Sequence, residues 1–284
     1  MSEVAASDAL VTTDWVAENI DSGIKVIEVD EDTEAYGWGH LPGAVSLNWQ
    51  TEMQDRVRRD LVDQAGFEKL LGSRGVSESD SVVLYGGNNN WFAAYAYWIF
   101  KLYGHQDVRL MDGGRKKWEL EDRSMTADLP SVTGTEYHAK APDGSIRALR
   151  AEVVAAAGTT PMVDVRSTDE FIGRLAAPPH LPHEQAQKKG HIPGATSIPW
   201  SKAANDDGSF KSIDELRQVY LEEAGLATDK ATITYCRIGE RSSHTWFVLT
   251  ELLGFKDVKN YDGSWTEYGS LVGVPIERTY WEED

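Results

Sequence analysis

The chain repeats itself. HLPGAVSLNW at His40–Trp49 returns roughly 150 positions later as HIPGATSIPW at His191–Trp200. SVVLYGG at Ser81–Gly87 returns as ATITYCR at Ala231–Arg237, and KLYGHQDVRLMDGGRKKW at Lys101–Trp118 returns as ELLGFKDVKNYDGSWTEY at Glu251–Tyr268. Ahead of these, KVIEVDEDTEAY at Lys25–Tyr36 resembles PMVDVRSTDEF at Pro161–Phe171. Four blocks in the same order, three of them separated by 150–151 positions and the first by about 136, mean two copies of one unit of roughly 130 residues. A chain of 284 residues suits two domains of that size.

The organisation follows from the repeat. A first domain is expected at 1–125, a linker at 126–147 and a second domain at 148–284. The intervening stretch carries prolines and glycines without sustained periodicity, which reads as extended chain. In the second copy, Met162–Val165, Ile233–Tyr235 and Val258–Tyr261 are short apolar runs with strand character. Between them, Ile213–Ala224 ends near Gly225 and Ser242–Leu253 stops at Gly254, both with helical spacing. Alternating strand and helix signals imply parallel strands. The expected fold class is therefore α/β: two tandem domains, each a mainly parallel sheet flanked by helices.

Composition narrows the function. The net charge is −18, from 46 acidic and 28 basic residues. Such a surface repels nucleic acid and anionic membrane, so neither is an expected partner. An anionic substrate would need a local arginine cluster. The mean hydropathy is −0.43, and no apolar run approaches the roughly 18 residues of a membrane span. The opening MSEVAASDAL has neither a basic start nor an apolar stretch, so no signal peptide is expected and the cytoplasm is the expected location.

The chain has one cysteine, Cys236, which excludes an internal disulfide and any zinc site needing two cysteine ligands. It lies just past the carboxyl end of an expected strand and before an expected helix, where ligands gather in parallel α/β sheets. The loop reads C-R-I-G-E-R, Cys236 to Arg241. Gly239 permits a positive φ, so successive backbone N–H groups can turn inward as an anion-binding nest. The helix terminus, capped by Ser242 or Ser243, adds partial positive charge, and Arg237 and Arg241 add two full charges. A thiolate with a lowered pKa is the expectation. The alternative is a buried cysteine ending a core strand, with arginines paired to carboxylates. The first copy reads YGGNNNWFA where the second reads YCRIGERSS, so it keeps the frame and lacks the thiol and both arginines.

Taken together, the tandem units, HxPGA in each, a cysteine loop in the second only, YGWGHLPGAVSL at Tyr36–Leu47 and VKNYDGSWTEY at Val258–Tyr268 resemble the two-domain rhodaneses, the thiosulfate sulfurtransferases. The resemblance spans nearly the whole chain. It implies two tandem rhodanese-like domains, the first lacking the catalytic cysteine. It implies attack by Cys236 on the outer sulfur of thiosulfate, release of sulfite, and a Cys236 persulfide that yields its sulfur to cyanide or a thiol. It implies no metal or organic cofactor. Arg237, Ile238, Gly239, Glu240 and Arg241 are the expected substrate-binding residues. Two departures stand out. Ile238 replaces a lysine found in some thiosulfate-specific members, with Arg241 as the substitute charge. An arginine expected after the DVRS strand is absent, with Glu170 near its place and Arg174 close by. The insertion IGRLAAPPHLPHEQAQ, absent from the first copy, is expected to overhang the site.

Three other readings stay open. A 3-mercaptopyruvate sulfurtransferase on the same fold would carry a short uncharged loop, and Arg237 with Arg241 suits compact thiosulfate better. A cysteine-loop phosphatase would need C-x5-R where this chain has C-x4-R. A non-catalytic sulfur carrier or scaffold would not require the intact loop. His180 and His183 in HLPH read as loop and not as metal ligands. His40 and His191 recur in both copies, which favours hydrogen bonding in the HxPGA turn. Asp112 and Asp262 read as turn residues, Trp265 as packing near the site, and Asp164 with Arg166 as an ordering salt bridge.

Overall fold

A computed structural model describes residues 8–178 and 185–280. The chain forms two compact units. One spans Ala6–Asp143 and takes in Ala204–Phe210; the other spans Gly144–Ala203 and resumes at Lys211.

The first unit holds β1 (Leu10–Val11), β2 (Lys25–Glu28), β3 (Val45–Ser46), β4 (Val82–Tyr85) and β5 (Val108–Met111). They form one parallel sheet in the order β1-β5-β4-β2-β3. The second unit holds β6 (Met162–Asp164), β7 (Ala195–Ser197), β8 (Thr232–Tyr235) and β9 (Val258–Tyr261), parallel in the order β7-β6-β8-β9. The two sheets are copies. Glu28 pairs with Tyr85 as Asp164 pairs with Tyr235. The place of β1 is taken in the second unit by a bridge of Arg147 to Asn260. The expected α/β class with parallel sheets is what the chain adopts.

Helices flank each sheet because their apolar faces have a sheet to cover. Val26, Val83, Tyr85, Met111 and Trp118 centre the first core, and Met162, Ile233, Tyr235, Tyr261 and Trp265 the second. Each such aliphatic side chain contributes roughly 1.5–3 kcal/mol on burial. Local chemistry sets the helix starts. Ser167 and Glu170 form a capping box before Thr168–Ile172, and Ser212 and Glu215 do so before Ile213–Arg217.

The HxPGA turns bear out a structural role for their histidines. His40 stacks on Tyr36 and its Nδ1 bonds the Tyr36 carbonyl at 2.9 Å. His191 stacks on Phe171 and its Nδ1 bonds the Phe171 carbonyl at 2.8 Å. The bonds thus run back to the preceding helical segment and not within the turn. The tyrosine ending each central strand accepts the next N–H: Leu41 to Tyr85 Oη at 3.0 Å, Ile192 to Tyr235 Oη at 3.1 Å.

Asp112 and Asp262 hold neighbouring segments. Asp112 accepts the Phe210 N–H at 2.9 Å. Asp262 takes both Nε and Nη2 of Arg147, at 2.9 and 2.8 Å. Among the described residues no helix is long and apolar enough to cross a membrane.

Candidate active site

β8 ends at Tyr235, and Cys236 is the next residue. The helix after the loop runs Glu240–Phe247 and continues in wider turns over Val248–Leu252. It therefore begins two residues before the sequence pattern indicates, and Arg241 lies in its first turn. Gly239 is the N-cap, at φ 107° and ψ −14°. That conformation needs glycine, and a Cβ there would meet Asp262 at 2.9 Å. Neither serine caps the helix. Ser242 and Ser243 instead donate backward to the Gly239 carbonyl, at 3.1 and 2.7 Å.

The loop wraps the sulfur. Gly239 N–H donates to Cys236 Sγ at 3.2 Å, and the Ser242 hydroxyl lies 3.6 Å away. Cys236 N–H is held by Ser264 Oγ at 3.1 Å, and Ser264 donates to the Tyr261 carbonyl at 2.6 Å. The Cys236 carbonyl accepts the Trp265 N–H at 3.0 Å. The backbone on both sides of the sulfur is thus fixed by the segment following β9.

A buried polar network lies beneath. Asn260 Oδ1 accepts from Ser242 at 2.6 Å, and its Nδ2 donates to Ser243 Oγ at 2.9 Å and the Gly239 carbonyl at 3.2 Å. Thr234 Oγ1 donates to the Ser242 carbonyl at 3.3 Å. These bonds hold the carbonyl side of the Gly239 turn, whose N–H faces the sulfur. Sequence reasoning missed this network, yet the repeat carries its signal. The matching positions in the first copy, Leu84, Phe92, Ala93 and Leu110, are all apolar.

The loop arginines are present, but their charge is already engaged. Arg241 donates to Glu170 at 3.1 and 3.2 Å, and its Nε lies 3.6 Å from Glu240 Oε1. Arg237 Nη2 lies 3.8 Å from the same oxygen. Arg166 and Asp164 form a wholly buried pair at 2.6 Å, as the salt-bridge reading has it, and the Arg166 guanidinium stacks 4.6 Å from the Trp265 ring. Glu240 Oε2 accepts from Cys236 Sγ at 3.3 Å. Three arginines thus face three carboxylates.

That balance overturns the expected low thiol pKa. Burial pushes the Cys236 thiol up, and the Glu240 carboxylate pushes it further; Arg241 opposes both without winning. Glu170 shows the reverse. Burial raises it most, but Arg241, Arg166 and the Ser167 N–H together hold it below its ordinary value. Glu170, near where the resemblance implies an arginine, is thus the counter-charge to Arg241. Arg174 is elsewhere, paired with Asp169 at 2.5 Å on the surface. Ile238 is buried.

Trp265 packs at the site as expected. Its indole N–H donates to the Lys188 carbonyl at 3.0 Å, so the far end of the insertion returns beside it. The HLPH segment, with His180 and His183, lies outside the described residues. Among the described residues no group of histidine, cysteine and acidic side chains could hold a metal ion.

The equivalent loop of the first copy is filled. Gly86 N–H donates to Asn90 Oδ1 at 3.0 Å and Gly87 N–H to Asp30 Oδ2 at 2.6 Å. A Cβ at Gly86 would collide with the Val29 carbonyl oxygen. The first copy lacks both the thiol and the space for one.

The chain is similar to known proteins over most of its length. The family model described as "Rhodanese-like domain" matches residues 12–121 and 149–271. A protein of Saccharopolyspora erythraea named "Putative thiosulfate sulfurtransferase" is 65% identical over 275 residues, covering 96% of this chain and 98% of its own. A Haloferax volcanii protein of the same name is 52% identical over 280 residues, covering 96% and 97%. The crystal structure of an Escherichia coli 3-mercaptopyruvate sulfotransferase superposes with a TM-score of 0.75 at 25% identity, covering 90% of this chain and 98% of that one.

Proposed function

The chain belongs to the rhodanese-like domain family, and from that premise we propose that it is a thiosulfate sulfurtransferase that carries sulfur as a persulfide on Cys236. The observation that carries this reading is the seat of Sγ: at the end of β8, inside the loop, 3.2 Å from the Gly239 amide. A sulfur held there by an N–H donor and a nearby hydroxyl is placed to hold negative charge through a displacement.

In the first half-reaction the Cys236 thiolate attacks the outer sulfur of thiosulfate, and sulfite leaves. In the second, cyanide or a thiol takes that sulfur and frees Cys236. The Gly239 N–H stabilises the persulfide. Arg237 and Arg241, partly offset by Glu240 and Glu170, are the positive side chains the loop offers a dianionic donor, the loop backbone through Ile238 and Glu240 shapes the cradle, and the reading calls for no cofactor. The C-x4-R span, one residue shorter than a phosphatase loop, favours a single sulfur over a phosphoryl group.

A second donor, 3-mercaptopyruvate, is favoured by one observation. With Glu170 and Glu240 on the arginines, the loop is closer to charge-neutral than the sequence implies. Cys236→Ser tests the main reading: thiosulfate-to-cyanide transfer is expected to vanish, and survival of activity would sink it. Turnover of the two donors side by side decides between them, with faster sulfur release from mercaptopyruvate overturning the thiosulfate assignment.

A further inference from the structure

Glu240 is nearly fully buried, and its two oxygens face different partners. Oε1 lies 3.6 Å from Arg241 and 3.8 Å from Arg237. Oε2 accepts from the Cys236 thiol at 3.3 Å. On other sides of the sulfur stand the Gly239 amide at 3.2 Å and the Ser242 hydroxyl at 3.6 Å. The sulfur thus has one acceptor and one N–H donor beside it, while the Ser242 hydroxyl directs its proton to Asn260 Oδ1 at 2.6 Å. A thiol in that setting has a place to send its proton, and the thiolate keeps the Gly239 N–H once the proton has gone.

A carboxylate that stayed ionised here would work against the reaction. It would disfavour the thiolate and repel a dianionic donor. Both effects disappear if the carboxylate takes the proton. We propose that Glu240 is the proton acceptor for Cys236 during sulfur loading. This rests on the thiosulfate reading above. The S–H proton moves to Glu240 Oε2, and the electron pair left on Sγ attacks the outer sulfur of thiosulfate. The sulfur–sulfur bond of the donor breaks, and its electron pair departs with sulfite. The outer sulfur stays on Cys236 as a persulfide anion beside the Gly239 N–H. The proton passes from Glu240 to sulfite, which leaves as bisulfite, and Glu240 is ionised again. One sulfur–sulfur bond replaces another, and no external oxidant or reductant takes part.

The charged groups around the pair permit this. Arg237 and Arg241 flank Oε1, and Glu170 neutralises Arg241. Arg166 is matched by Asp164, and Asp262 of the adjoining loop is matched by Arg147. His244, one turn further along the helix, is held neutral by burial.

The test is the rate of persulfide formation against pH in wild type and E240Q. In wild type the proton moves within the pair, so the population with thiolate and neutral Glu240 does not depend on pH as long as the pair holds one proton. The rate is expected to stay nearly flat from about pH 5.5 to about pH 7.5. In E240Q the proton must leave to solvent, so the rate climbs about tenfold per pH unit and is about tenfold or more below wild type at the acidic end. E240D keeps an acceptor and should keep the flat profile. Parallel profiles in wild type and E240Q, or an E240Q enzyme faster at every pH, would overturn the proposal. Alkylation by iodoacetamide over the same range asks the question without a sulfur donor. If thiosulfate fails to load the wild-type protein, the donor assignment falls, while the alkylation slopes still decide the role of Glu240 by the same criterion.

Discussion

Glu170 holds Arg241 with both carboxylate oxygens, at 3.1 and 3.2 Å, in a site buried from solvent. Arg241 thereby loses much of its pull on the Cys236 sulfur. Replacing Glu170 by Gln removes the counter-charge but keeps a side chain able to complete the capping box with Ser167. The expected result is a Cys236 whose alkylation profile moves to lower pH. The cost is a stability loss of about 3 kcal/mol, because a buried guanidinium loses the closer of its two counter-ions and keeps only Glu240 at 3.6 Å. Alkylation rates across pH and denaturant melts check both halves, and an unmoved profile would show that Arg241 does not govern the thiol.

Asn260 supports the loop from beneath. In the first copy its place is taken by Leu110. Asn260→Leu removes the 2.6 Å acceptor of the Ser242 hydroxyl, the donor to Ser243 Oγ, and one of the side-chain donors that hold the Gly239 carbonyl. Stability should fall by about 2 kcal/mol. Persulfide formation should slow by about tenfold or more, because the Gly239 N–H no longer has a fixed aim at Sγ. Stopped-flow sulfur loading on protein that still melts cooperatively separates the two effects; full-speed loading would refute a positioning role.

His244 gives the protein a built-in acid sensitivity. Burial lowers its pKa from 6.5 to about 3, so the folded protein keeps the imidazole neutral while the unfolded chain takes a proton. The stabilisation is fully present above pH 6.5 and is lost as pH falls toward about 3. Between pH 6.5 and about pH 5 the loss from this one group approaches about 2 kcal/mol. H244Q, which cannot take that proton, should lose that much less over the same interval. Denaturant melts at the two pH values check it, and equal losses would place the acid sensitivity elsewhere.

The frame was legible because its signals are local or repeated. Four block matches, a strand ending at Tyr235 and glycine at 239 were enough to place Cys236 at the carboxyl edge of a parallel sheet. The electrostatics were not. Arg237 and Arg241 read as free charges in the loop, but Glu170, which lies 71 residues from Arg241, cancels one of them. Such a pairing depends on where the Thr168–Ile172 helix docks, and no spacing rule reports that. Glu240 was visible as a loop residue, while the direction of its carboxyl was not. Whether the fourth residue after a cysteine faces the sulfur or the solvent depends on the turn, and Gly239 at φ 107° sets that turn. The Asn260 network lay between these cases. Each of its residues is unremarkable alone, and only the apolar residues at the matching positions of the first copy mark it.

The first copy provides the sharpest test of what the loop requires. At Gly86 a Cβ would run into the Val29 carbonyl oxygen, and Asn90 fills the cradle by accepting the Gly86 N–H at 3.0 Å. Restoring the thiol there should therefore not restore a site. In a protein already carrying Cys236→Ser, Gly86→Cys should cost about 3 kcal/mol through the forced backbone shift. It should also bind no sulfur from thiosulfate, because the collision expels the side chain from the seat that Cys236 occupies in the second copy. Intact-mass measurement after thiosulfate treatment, with melting curves alongside, checks both outcomes. A stable variant that gains one sulfur atom would mean that the first copy lost only its nucleophile and kept the cradle.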